Sequence, residues 1–205
     1  MADDGDVGAA LRDALLECGV SVSDEQLASV RGRSKREALR ELLSGDADAE
    51  RRATEVYAAF ARRLRDGGGR RGVRQVPGAE EVFGTLRAAG ARVALTTGFD
   101  RETAAALLTS LGWIRGTFDA IVCDGEVGSG RPAPDLIFKA MDEIGIRRAA
   151  DVANVGDTTA DLLAGHNAGV GWNVGVWSGA HPRAKLLLAP HTHLVESVRD
   201  IPELL

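Results

Sequence analysis

The sequence predicts an α/β fold built on a mostly parallel sheet, with an all-helical segment ahead of it. Three observations carry that prediction. The first third of the 205-residue chain has apolar residues at helical spacing and no convincing strand. From Pro77 onward, helical stripes alternate with short runs that are almost wholly apolar. Such runs suit strands buried on both faces, as in parallel sheets covered by helices. The glycine-rich, basic stretch from Asp66 to Gly78 separates the two regimes and reads as a linker or hinge.

In the helical region Val7, Ala10, Leu11, Ala14, Leu15 and Cys18 share one face, and Gly19 ends the segment. Ser23 and Gln26 have the spacing of a capping box before a short helix. Helical patterns then run from Ser34 to Leu43, and through Ala53, Val56, Tyr57, Phe60 and Leu64 to a stop near Asp66. After the linker, a stripe of Ala79, Val82, Phe83 and Leu86 precedes the apolar run VALTT (93–97). Ala104, Leu107, Leu108 and Leu111 precede AIVC (120–123), and Ile137, Ala140, Met141 and Ile144 precede VANVG (152–156). A helix over 159–168, the run WNVGVW (172–177), a short helix and a last strand near His191–Val195, holding His191 and His193, complete the pattern.

The net charge of −5 argues against nucleic acid as the main partner, since that role calls for a basic surface. It leaves phosphorylated metabolites open, because these need only a local cluster of positive groups. Arg70, Arg71 and Arg74 in the linker lack aromatic partners and helical spacing, so they read as part of a solvated connector. Two cysteines far apart, Cys18 and Cys123, fit a reducing cytoplasm and buried structural thiols better than a disulfide scaffold. No window suits a membrane span, and the acidic N-terminus is unlike a signal peptide. Trp113, Trp172 and Trp177 read as packing residues, and His166 as solvent-facing.

Ligands of an open parallel sheet gather at the carboxyl ends of its strands. The run ending at Leu95 continues into Thr96, Thr97 and Gly98, where a hydroxyl and backbone amides can hold a phosphate oxygen near a helix start. The loop GSGRPAPD (128–135) offers Arg131 on a proline-stiffened backbone, and its planar fork matches phosphate oxygens. The most informative stretch is NVGDTTADLLAGHNAG (154–169), in which Asp157 and Asp161 follow a strand and Gly156. Their spacing predicts two carboxylates on one helical face near its N-terminus, a donor set suited to Mg²⁺. The purely structural alternative makes Asp157 an N-cap and leaves Asp161 in solvent.

In this order, TTG, GRPAPD and VGDTTAD resemble the second, third and fourth motifs of the haloacid dehalogenase superfamily. RSKREAL, PGAEEVFGTLRAAG, VALTTGFDR, AGHNAG, SGAH and PHTH extend the likeness to its phosphonatase-like hydrolases, over nearly the whole chain. The resemblance implies a helical cap over residues 6–70 and a Rossmann-like core over 71–205. It implies that Thr97 binds the transferring phosphoryl group, that Arg131 takes the place of the usual lysine, and that Asp157 and Asp161 bind or position Mg²⁺. Thr96 and Gly98, with His181 in the loop SGAH, are the substrate contacts it suggests. Lys35 falls where phosphonoacetaldehyde hydrolase has its Schiff-base lysine, which needs a depressed pKa. Arg33 and Arg36 are cationic neighbours, but Ala38 stands where a histidine is expected, and a solvated basic patch competes with that role.

The sequence departs from the superfamily at its start. Members open with an apolar strand ending in D-x-x-G-T, whose first aspartate attacks phosphorus, and no such strand is present here. Asp4 and Asp6 have the pair spacing but too few residues before them, and Val7-Gly8 follows them. Met1 as an internal codon misread as the start is the preferred explanation, and a degenerate non-catalytic relative is the other. The expected function is a Mg²⁺-dependent cytoplasmic hydrolase of a small phosphorylated or phosphonate metabolite, inactive without that aspartate. Phosphonoacetaldehyde cleavage through Lys35, and a non-catalytic phosphate and Mg²⁺ binder, are the alternatives.

Overall fold

The computed structural model describes residues 6–66, 74–113 and 116–204. Asp4, Arg70 and Arg71 lie outside them. Four helices come first: α1 (Asp6–Glu17), α2 (Asp24–Ser29), α3 (Lys35–Leu42) and α4 (Ala49–Arg65). Ser23 caps α2 through the expected box with Gln26. Leu15, Leu39, Val56 and Phe60 are fully buried between these helices. Their apolar cluster takes in Phe99, Leu107 and Cys123 from the following region, so the helical layer shares a core with it. Tyr57 crosses the same seam, its hydroxyl accepting from the Asp100 amide at 3.0 Å with the Arg36 guanidinium 4.2 Å from its ring. Burial pushes the Tyr57 phenol up to about 12. Cys18 is half-buried rather than buried, Cys123 is buried, and both are free thiols.

Helices and strands then alternate as α5 (Ala79–Ala88), β1 (Ala94–Thr97), α6 (Arg101–Ser110), β2 (Ala120–Cys123), α7 (Asp135–Glu143) and β3 (Ala153–Gly156). They continue with α8 (Thr159–Ala168), β4 (Trp172–Val176), α9 (Arg183–Leu186) and β5 (His193–Val195). His191 precedes β5 rather than lying in it, and its Nδ1 pairs with the Ala189 carbonyl at 2.8 Å. Trp113 is buried as expected, whereas Trp172 is 36% exposed.

All described pairings are parallel, but the sheet is not continuous. β1 pairs with β2, and β3, β4 and β5 form a second sheet in that order. Among the described residues no strand joins β1 to β3. Burial follows the break. Val122 and Val174, on β2 and β4, are wholly buried, whereas all of β1 is only half-buried and Val155 on β3 is 41% exposed. β1 and β3 are therefore less covered than the strands they pair with, β2 and β4.

Helices bridge the two half-sheets. On α5, Ala79 and Phe83 pack with Leu95, Trp113 and Phe118, while Val82 and Leu86 reach Val174 and Val176. Phe83 meets Trp113 and Phe118 edge-on, with centroids 5.5 and 5.2 Å away. On α7, Leu136 and Ala140 pack with Val122 and Ala94, while Ile137 and Met141 pack with Ala164 and Ala168 of α8. Among the described residues no helix is long and apolar enough to cross a membrane.

Leu136, 1% exposed, tests the packing of α7 onto β1 and β2. Leu136→Ala should destabilise the fold by about 2–5 kcal/mol through lost burial and a residual cavity. A lower urea midpoint at unchanged slope is the expected measurement.

Candidate active site

The carboxyl ends of β1 and β3 and the loop before α7 supply the site. Beyond β1 the chain turns through Thr97 and Gly98, with the Phe99 amide donating to Thr97 Oγ1 at 3.3 Å. The Arg131 loop is held by Asn167 Nδ2, which donates to the Pro132 carbonyl at 2.9 Å, and by Asp135, which accepts from the Ser129 amide at 3.0 Å.

At the end of β3 the arrangement differs from the expectation drawn from spacing. Asp157 and Asp161 do not share a helical face, because Asp157 precedes the helix and Thr158 is its N-cap. Nor is Asp161 solvated, being 4% exposed. Its Oδ2 accepts from the Thr158 amide at 2.9 Å and the Thr158 hydroxyl at 2.6 Å, closing a capping box. Its Oδ1 pairs with Arg131 Nη1. Glycine at 156 makes this approach possible, since a Cβ there would fall 2.1 Å from Asp161 Cβ. Asp157 is half-buried, and its Oδ2 accepts from the Ala180 amide at 2.9 Å. Burial, then the neighbouring Asp161 charge, push its carboxyl above the usual range.

Two cavities meet here. One, of about 210 Å³, is lined by Lys35, Thr96, Thr97, Gly98 and Arg131 together with apolar Leu95, Leu108, Leu111 and Trp113. The second, of about 170 Å³, holds Asp157, Thr158 and Asp161 under Val7, Leu11 and Val30. Gly32, Lys35, Phe99 and Arg131 line both. Lys35 and Arg131 thus stand between a hydroxyl-and-amide pocket and a carboxylate pocket. The Lys35 amine donates to the Arg33 carbonyl at 3.2 Å.

His181 lines neither cavity. It is 4% exposed, and its Nδ1 accepts from the Thr159 amide at 3.1 Å, which assigns the ring proton to Nε2. Burial, aided by Lys185 and Arg31, pushes the imidazole down to about 4. It supports the start of α8 from behind. His166 faces solvent, as expected.

Sequence reasoning missed Ser34, Glu37, Asp124 and Thr158. The S-x-x-E spacing of Ser34 and Glu37 and the T-x-x-D spacing of Thr158 and Asp161 are legible cap signals. Asp124 before Gly125 reads as a turn, and nothing in the sequence marks it as buried.

Mg²⁺ needs one or two carboxylates and takes its other oxygens from water and substrate. Asp157 and Asp161 fit that requirement, because a carboxyl partly withdrawn from water beside a second negative charge is stabilised by a cation. Among the described residues no cluster of three or more His, Cys, Asp or Glu side chains gathers as a complete ligand set.

Residues 6–174 match the family model for haloacid dehalogenase-like hydrolases. The chain belongs to this family. Phosphonoacetaldehyde hydrolase of Paraburkholderia phytofirmans is 38% identical over 101 residues, covering 49% of this chain and 38% of that protein. The corresponding protein of Parabacteroides distasonis is 35% identical over 106 residues, covering 52% and 40%. The matched stretch is thus less than half the length of either relative. Among solved structures, the phosphonoacetaldehyde hydrolase-like protein of Oleispira antarctica superposes with a TM-score of 0.82 at 21% identity, over 98% of this chain and 84% of that one. A predicted phosphoglycolate phosphatase of Haemophilus somnus gives 0.74 at 17%, over 97% and 90%. These likenesses show a haloacid dehalogenase-like fold.

The raised Asp157 carboxyl makes one contribution to the pH dependence of stability. A raised folded pKa means that the folded state holds the proton longer, so stability falls as pH rises from the unfolded value near 3.8 through the folded one. Asp157→Asn should raise the thermal midpoint at pH 7 in metal-free buffer, because the folded state no longer holds that charge beside Asp161. At pH 3.5 the two proteins should melt together.

Proposed function

We propose that this chain is a Mg²⁺-dependent phosphatase- or phosphonatase-like hydrolase of a small phosphorylated or phosphonate metabolite. The observation that carries this reading is the sharing of Lys35 and Arg131 between the Thr97 cavity and the Asp157–Asp161 cavity. Thr97 and the Gly98 backbone bind phosphoryl oxygens, and Arg131 neutralises charge that grows on them during transfer. The ion pair with Asp161 fixes the direction of the guanidinium before substrate arrives. Asp157 and Asp161 would hold the ion, which when bound supplies charge neutralisation at the same oxygens. Residues 6–70 act as a cap that excludes water and sets specificity.

The nucleophile in this reading is an aspartate on a further strand lying between β1 and β3. The half-covered strands β1 and β3 support that placement, as do the apolar residues lining the larger cavity, Leu95 among them. Its carboxylate attacks phosphorus and expels the organic group, and water then cleaves the aspartyl phosphate. Without such a carboxylate the rate should fall by about 10⁶.

A narrower reading takes phosphonoacetaldehyde as the substrate and Lys35 as its Schiff-base amine. The names of the relatives and the place of Lys35 in both cavities support it. Ala38, wholly buried where that subfamily's histidine is expected, argues for a different proton carrier.

Calorimetry with inorganic phosphate should show Mg²⁺-dependent binding that weakens at least tenfold in Arg131→Ala. No binding with the ion present would refute the phosphate site. Adding a D-x-x-G-T strand N-terminally should confer turnover of small phosphate esters. Borohydride reduction with phosphonoacetaldehyde should label Lys35, and labelling elsewhere alone would remove the aldehyde reading.

A further inference from the structure

A buried carboxyl that the proposed chemistry does not use sits behind Lys35. Asp124 directly follows β2, is 7% exposed, and is tied by its amide to the Phe99 carbonyl at 2.8 Å. Its Oδ2 accepts from the Ser34 hydroxyl at 2.8 Å. Ser34, 2% exposed, is the N-cap of α3, and the same hydroxyl accepts from the Glu37 amide at 3.3 Å. Lys35 is the first residue of that helix, so whatever fixes Ser34 fixes the base of the lysine side chain.

Further contacts press the same segment onto the loops that carry Gly98 and Arg131. The Lys35 amide donates to the Gly98 carbonyl at 3.5 Å, and the Gly130 amide donates to Glu37 Oε1 at 3.0 Å. The fit leaves no room for a side chain at Gly130, where a Cβ would lie 2.5 Å from Ser34 Cβ. Burying a carboxyl is costly unless it is hydrogen-bonded, and apolar packing would anchor a helix at less cost. Burial pushes the Asp124 carboxyl up, the Ser34 bond pulls it down, Glu37 pushes it up, and Arg36 and Lys35 pull it down. What the Ser34 bond adds beyond adhesion is direction, because it sets the rotation of the first turn of α3.

We propose that Asp124 is a positioning residue for Lys35, holding the lysine's amine between the two cavities through the Ser34 hydroxyl. The purpose of that positioning rests on the substrate-facing role of Lys35 proposed above, but its test does not. The chain has three lysines, Lys35, Lys139 and Lys185, so two amines serve as internal references. Trinitrobenzenesulfonate modifies amines without being a substrate, and peptide mass spectrometry gives the rate at each lysine.

Asp124→Ala and Ser34→Ala should each speed labelling of half-buried Lys35 about tenfold relative to Lys139 and Lys185, as loss of one buried hydrogen bond frees the first turn. The double variant should match either single one, because both remove the same link. Asp124→Asn, whose amide oxygen still accepts from Ser34, should restore the wild-type rate. Should Asp124→Ala fail to fold, Ser34→Ala and Asp124→Asn decide the matter. Unchanged Lys35 labelling in the alanine variants, or an asparagine variant that behaves like alanine, would overturn the proposal. If the labelling pattern holds while no aldehyde is trapped on Lys35, only the phosphonoacetaldehyde reading fails.

Discussion

Apolar contacts made by α5 and α7 hold two separate parallel half-sheets in one layer, and the site depends on that constraint. Val82 and Phe83, neighbours on α5, reach opposite halves, while Leu136 on α7 packs on the first half-sheet and Ile137 on α8, which lies against the second. Each helix thereby keeps the ends of β1 and β3 in register although no described strand connects them. With the layer intact, the Thr97 turn, the Arg131 loop and the start of α8 converge on adjoining cavities.

Electrostatics within the site is organised in pairs. Asp161 spends one oxygen on its own helix start and the other on Arg131, which turns a local capping residue into a long-range clamp. Asp157 has backbone amide support from Ala180 and meets the negative charge of its neighbour. Stability and the proposed ion binding would therefore make opposite demands on this carboxylate.

Most of the architecture was legible in the sequence. Periodic stripes located α1 and α3 to α7, the Ser23–Gln26 spacing located α2, a helix over 159–168 was expected where α8 lies, and AIVC coincides with β2. The break in the sheet was not readable as geometry, because burial depends on which strands become neighbours, and the threonines of ALTT in β1 read as ligand contacts rather than as a sign of open space. At the site, the spacing of Asp157 and Asp161 was read as a helical pair, whereas Thr158 competes for the cap position and moves Asp157 off the helix. His191 fell outside the last strand because the Pro190 region is occupied by turns tied to α9 and Asn173. Asp124 stayed hidden because its burial comes from the distant Ser34 segment.

Tyr57 is the chain's sole tyrosine, and it spans the seam between the helical layer and the Asp100 turn. Its ultraviolet signal is therefore that of one phenol in one known place. With ionisation held off to about 12 while the seam is closed, absorbance at alkaline pH reads the opening of that seam directly, without a dye or an introduced label.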